Sequence, residues 1–145
     1  MADFIRQTLW FPVIQSVHIL GLTIVVGTIA LVDFRLLDFA MRRKPAPELA
    51  ASLAPWTWAG LMTVLTTGPL LFGADLSRYV QNPAFVLKIG LLVLALFLHF
   101  TLHRYVIRDD TSLQPSKRKI AAAISLALWS GVVLAGRAIA DFDIK

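Results

Sequence analysis

Four long apolar stretches, separated by short polar segments, dominate the pattern of this 145-residue chain. They cover residues 9–32, 55–72, 84–105 and 120–139. A hydrocarbon core about 30 Å thick takes about 20 helical residues to cross. Each stretch approaches that length, and none shows the alternation of a half-buried strand. The pattern predicts an all-α integral membrane protein, a single transmembrane domain in which short loops make consecutive spans antiparallel neighbours in a four-helix bundle. Pro12, Pro55 and Pro83 stand near the expected span starts, where a missing N–H costs little. Span two is the shortest and carries Gly68-Pro69, where a kink or an early end is expected. The run RRKPAPE at 42–48 reads as a linker.

The first stretch is longer than the roughly 7–15-residue apolar core of a cleaved leader. Asp3 accompanies Arg6 ahead of it and no small-residue cleavage site follows. It is therefore read as a retained helix.

Composition agrees with a membrane protein. The chain is 57% hydrophobic and only 16% charged, with mean hydropathy +0.71, against roughly 25% charged residues in soluble domains. The net charge of +5 does not point to nucleic acid, because the basic residues sit at the ends of the apolar runs. The first loop carries Arg35, Arg42, Arg43 and Lys44, and the third carries Arg104, Arg108, Lys117, Arg118 and Lys119, while the second offers only Arg78. Positive-inside logic puts loops one and three in the cytoplasm and both termini outside, for a multi-pass membrane protein. Trp10, Trp56, Trp58 and Tyr105 fall near span ends, as interfacial anchors do. Ala123, Ala127, Gly131 and Ala135 put a small residue at every fourth position of span four, a surface for close packing within the bundle or in a homo-oligomer.

The absence of cysteine excludes disulfides, thiolate-ligated clusters and covalent c-type haem attachment. There is also no G-x-S-x-G, phosphate-binding glycine loop or H-E-x-x-H, so soluble-enzyme readings have no anchor. Asp109-Asp110, Asp141 and Asp143 read as solvated acidic groups.

Chemistry is concentrated instead in His18, Lys88, His99 and Arg137 within the spans, with His103 at the inner end of span three. Ionisable groups are costly in hydrocarbon and turn towards a bundle interior or a cavity. Eleven helical residues leave Lys88 and His99 only about 20° apart in azimuth, and His103 follows one turn later. By rise along the helix, His18 and Lys88 lie at one level within about 2 Å, with Arg137 returning to it on span four. His99 lies about 16 Å further in. Two clusters are expected: an outer one of His18, Lys88 and Arg137, and an inner one of His99 and His103 with Asp33 and Arg35. Arg137 and Lys88 have the alternative of snorkelling to the surface. Facing imidazoles in a bundle hold b-type haem iron, and nearby cations suit haem propionates. His18 with His99 or His103 supplies the candidate axial ligands, although the depth difference leaves the pair open.

The runs FPVIQSVHILGLTIVVGTIALVDFRLLDFA (11–40), PWTWAG (55–60), NPAFVLK (82–88) and WSGVVLAGRAIAD (129–141) resemble an uncharacterised bacterial family of small four-helix membrane proteins, over nearly the whole chain. More distantly, a first-helix histidine (His18) and a lysine followed about three turns later by histidine (Lys88, His99) resemble the HemJ-type protoporphyrinogen oxidases and the membrane domain of the copper-resistance protein CopD. The bacterial family implies a bacterial inner membrane with both termini in the periplasm, and the HemJ resemblance implies haem b and redox work on a porphyrin. The chain departs from it in DFRLLD (33–38), where HemJ-type proteins are rich in tryptophan and tyrosine.

The leading expectation is a membrane b-type cytochrome or haem-binding protein, an electron carrier or membrane oxidoreductase serving a quinone or a redox partner protein. The alternatives are a small ion or proton carrier using the same groups, although no inverted repeat is evident, and a structural subunit in which they only pack helices.

Overall fold

The computed structural model describes residues 8–107 and 114–142. Four long helices, α1 (Trp10–Leu36), α2 (Ala46–Ala74), α4 (Pro83–Ile107) and α5 (Pro115–Asp141), and one short helix, α3 (Leu76–Val80), make up the described chain, which contains no strand. All four long helices have the length and composition to cross a membrane. The chain is a multi-pass membrane protein built as a four-helix bundle.

Each helix outruns the apolar stretch that announced it. The largest difference is in α2, which begins at Ala46 rather than near Pro55 and continues past Pro69 to Ala74. Both prolines lie inside the helix. Proline removes one hydrogen bond and crowds the carbonyl four residues back, and in a membrane helix neighbouring helices and hydroxyl side chains offset that cost. Here Thr57, Thr66 and Thr67 bond the nearby Leu53, Met62 and Thr63 carbonyls, not those of Ala51 and Leu65 that the two prolines leave without a helical donor. The linker between α1 and α2 is residues 37–45, so only the RRKP part of RRKPAPE belongs to it. Asp38 and Met41 take positive φ there, at 56° and 59°, and reverse the chain.

α1 packs along α2, and α4 along α5; the two pairs join through α1–α5 and α2–α4 contacts, so α1 and α4 stand diagonally. The polar pairs of α1 and α2 give their register: His18 meets Thr67, and Thr28 meets Thr57. Ten residues forward on one helix match ten backward on the other, as antiparallel neighbours require.

The closest approach is at Gly21 and Gly60, where a β-carbon on Gly60 would lie 2.8 Å from the Gly21 carbonyl oxygen. That seam, rather than the small-residue stripe of α5, brings two helices closest. Along the stripe Ala123 and Ala127 are exposed, Gly131 meets Leu91, and Ala135 is buried. The stripe winds from the lipid-facing side into the core.

Val25, Ile29, Leu61, Ala95, Trp129 and Val132 form the main core cluster. Trp10 and Tyr105 are exposed near helix ends, as expected of anchors, whereas Trp56 and Trp58 are exposed near the middle of α2, which begins earlier than expected, and Trp129 is only 2% exposed. Asn82 opens α4: its side-chain oxygen accepts from the Ala84 N–H, and its amide donates 2.9 Å to the Ile139 carbonyl of α5.

Candidate functional site

His18 sits one-third of the way along α1, on the face turned to α2. Its Nδ1 is 2.8 Å from Thr67 Oγ1, and Thr67 Oγ1 donates its own hydrogen 2.6 Å to the Thr63 carbonyl. A hydroxyl has one hydrogen, so with that hydrogen committed Thr67 accepts from His18. His18 is thereby held as the Nδ1–H tautomer, with Nε2 as a bare lone pair. Orientation of a ligating histidine through its second nitrogen is the usual arrangement at metal and haem sites. Gly68 leaves room beside the ring, since a β-carbon there would stand 3.6 Å from His18 Cε1.

Lys88 approaches from α4, diagonally across the bundle, close enough to act on His18 electrostatically. Its side chain lies along Gly136 of α5, where a β-carbon would be 3.6 Å from Cε and Nζ. His18 and Lys88 thus both point into the bundle at the outer end, each packed against a glycine of a different neighbouring helix. Arg137 does not join them. Its guanidinium pairs at 3.0 Å with Asp141, one turn on, and both side chains are well exposed. An i,i+4 pair on the outer face satisfies the arginine without turning it into the bundle.

The inner cluster is assembled differently from the expectation. Asp33, His99 and His103 line one cavity of about 60 Å³, with Thr28, Thr57 and Trp58 among its other walls. Arg35 is absent from it. Two helical residues turn about 200°, and Arg35 faces the first loop, donating 2.6 Å to the Lys44 carbonyl and pairing at 3.2 Å with Asp38. His99 and His103 stack one turn apart on α4, with ring centroids 5.5 Å apart.

Asp33 is 2% exposed, and its Oδ2 has no hydrogen-bond partner. Ser125 and Trp129 of α5 lie on that side. Neither Ser125 Oγ nor Trp129 Nε1, both buried on α5, completes a hydrogen bond. Unpaired polar atoms at such depth are uncommon. Thr67, Ser125 and Trp129 were not legible as site residues in the sequence. A threonine in an apolar run resembles any other helix-facing hydroxyl until its partner on another helix is known.

These positions decide which haem geometries the residues can serve. Thr67 marks the His18 level and Thr57 borders the inner cavity, so the levels differ by about ten residues, or about 15 Å. His18 and His99 cannot face each other across one iron. His99 and His103 cannot either, since both project from one face of α4. The inner cavity is far below the roughly 300–1,000 Å³ of small-molecule sites and suits a few waters. His18 has its second nitrogen held by a hydrogen bond, as ligating histidines usually do. Among the described residues, no three histidine, aspartate or glutamate side chains converge as for a metal ion.

No curated protein and no solved structure matches the chain. A family model, the family of unknown function DUF6644, matches residues 6–142, and the chain belongs to that family.

Proposed function

We propose that this protein is a membrane haem b protein in which His18 supplies an axial nitrogen from Nε2. The observation that carries the proposal is the Thr63–Thr67–His18 chain, which leaves that nitrogen unprotonated and oriented. Lys88, diagonally opposite, offers a cation for a propionate or an amine for the iron. Haem bound there would supply a one-electron couple, and the protein would pass electrons to a quinone or a partner protein within the membrane. The distant similarity to HemJ-type oxidases and to CopD rests on His18, Lys88 and His99 alone, and porphyrinogen oxidation is the narrower form of this proposal. Positive-inside charge supports a bacterial inner membrane with both termini periplasmic.

An absorption spectrum of protein purified from haem-replete cells tests the reading. A Soret band that shifts on reduction and is lost in His18→Ala, with His99→Ala retaining it, is the expected result. Colourless protein that also fails to take up added haemin rejects it.

A second reading, a proton or cation carrier, is favoured by the unpaired Asp33 Oδ2 beside the inner cavity. Asp33, His99 and His103 would exchange protons through water held there. It predicts pH-driven flux in liposomes that Asp33→Asn abolishes while the helical fold is kept.

A further inference from the structure

The strongest unassigned feature lies at the basic end of the bundle, away from both histidine levels. A pocket of about 310 Å³ opens where α1 ends and where α2 and α5 begin. Among the described residues, Arg35, Arg118 and Lys119 line it with one carboxylate, Asp38. We propose that this pocket binds the phosphate headgroup of an anionic phospholipid.

Charge and position both support that occupant. Arg118 has a partner of its own, and among the described residues Arg35 and Lys119 share one carboxylate, which leaves that pair positive. Its floor is made by Ala46 and Pro47 in the first turn of α2 and by Pro115 in the first turn of α5. Two long helices therefore direct the positive ends of their dipoles to the same place, against the negative end of α1. Arg42, Arg43, Lys44 and Lys117 are exposed on the same end, adding the polybasic surroundings that draw anionic lipids. The pocket also lies at the ends of membrane-spanning helices, so lipid phosphates are at its level wherever the bundle sits in a bilayer. A free phosphate has the same chemistry but lacks that enforced proximity.

Asp38 holds the site in the absence of lipid. Its Oδ2 is 3.2 Å from Lys119 Nζ, and its Oδ1 is 3.2 Å from Arg35. The Lys119 ammonium, its principal partner, holds the Asp38 carboxyl below the usual carboxylate range, with Arg35 and Arg42 adding to the effect. A lipid phosphate would compete with this carboxylate for the same donors.

The test uses the whole protein in neutral detergent. Thermal stability and native mass spectra would be recorded with phosphatidylglycerol, with phosphatidylcholine and with inorganic phosphate. Retention of phosphatidylglycerol and a rise in melting temperature with it alone are expected. A cation beside an anionic surface is worth about fivefold in binding, so Lys119→Gln should weaken the effect by about that factor. Asp38→Asn removes the competing carboxylate and should tighten binding, a gain that misfolding cannot imitate. Asparagine also tolerates the positive φ of position 38. Equal effects of phosphatidylcholine, or unchanged binding in both variants, overturn the proposal. An equal effect of inorganic phosphate overturns the lipid as occupant.

Discussion

Thr67 accepts the Nδ1–H of His18 across 2.8 Å while giving its own hydrogen to the Thr63 carbonyl. A residue on α2 thus fixes the tautomer of a histidine on α1. Removing the hydroxyl in Thr67→Val leaves His18 free to choose its tautomer and ring angle. If His18 ligates haem, such supporting partners are worth about 10–100-fold in affinity. Haemin titration of Thr67→Val should show a loss of that size, and Thr67→Ser should recover most of it. Equal affinity in all three proteins would place the ligand elsewhere.

Gly60 faces the Gly21 carbonyl so closely that any side chain must push α1 and α2 apart. Gly60→Ala is expected to destabilise the bundle by about 1–3 kcal/mol, the usual penalty of overpacking. Gly27 and Gly73 have nothing within 4 Å of an added β-carbon, so Gly27→Ala should be harmless by comparison. Melting of the two variants in detergent separates the cases.

Ser125 Oγ is buried without a hydrogen-bond partner. Deleting a polar atom that makes no bond removes a desolvation cost and no interaction. Ser125→Ala should therefore be neutral or slightly stabilising, within about 1 kcal/mol. Marked destabilisation would mean that Ser125 and Asp33 are joined by an ordered water in the neighbouring cavity.

Asn82 acts as both cap and cross-link. In Asn82→Asp the carboxylate can still accept from Ala84 N–H, but it cannot donate to the Ile139 carbonyl. Asn82→Asp should lose about 1–3 kcal/mol, because a buried carbonyl loses its donor and faces a charge. Thermal denaturation beside Asn82→Ala would show whether the cap or the cross-link dominates.

The Asp38–Lys119 pair makes acid stability a readable quantity. Asp38 is held below its ordinary value, principally by Lys119, so the folded state binds the proton less well than the unfolded state does. Its contribution is therefore full above the unfolded value of about 3.9 and is lost as pH falls through the lower folded value. Melting curves of the wild type should fall off across that acidic range, with a shallower fall in Asp38→Asn. High salt should shrink the difference, because the pair is exposed.

The four membrane-crossing helices were legible in the sequence because burial in lipid requires runs of apolar residues, and that requirement is local. The outer level of His18 and Lys88 was also legible, since helical rise converts residue number into depth. Helix ends were less so. Ala46–Ala54 joins α2 although it precedes the most apolar stretch, because helical hydrogen bonds extend beyond the hydrocarbon core. Azimuth across the bundle was the harder quantity. Sequence put Arg35 with Asp33 and Arg137 with Lys88, yet each arginine found a nearer carboxylate on its own exposed side. The meeting of Asp33 with His99 and His103 followed from depth along the helices, whereas only tertiary structure brought Thr67 to His18 and Gly60 to Gly21. Those contacts depend on the rotation of one helix against another, which side-chain packing over the whole bundle decides and no single apolar run encodes.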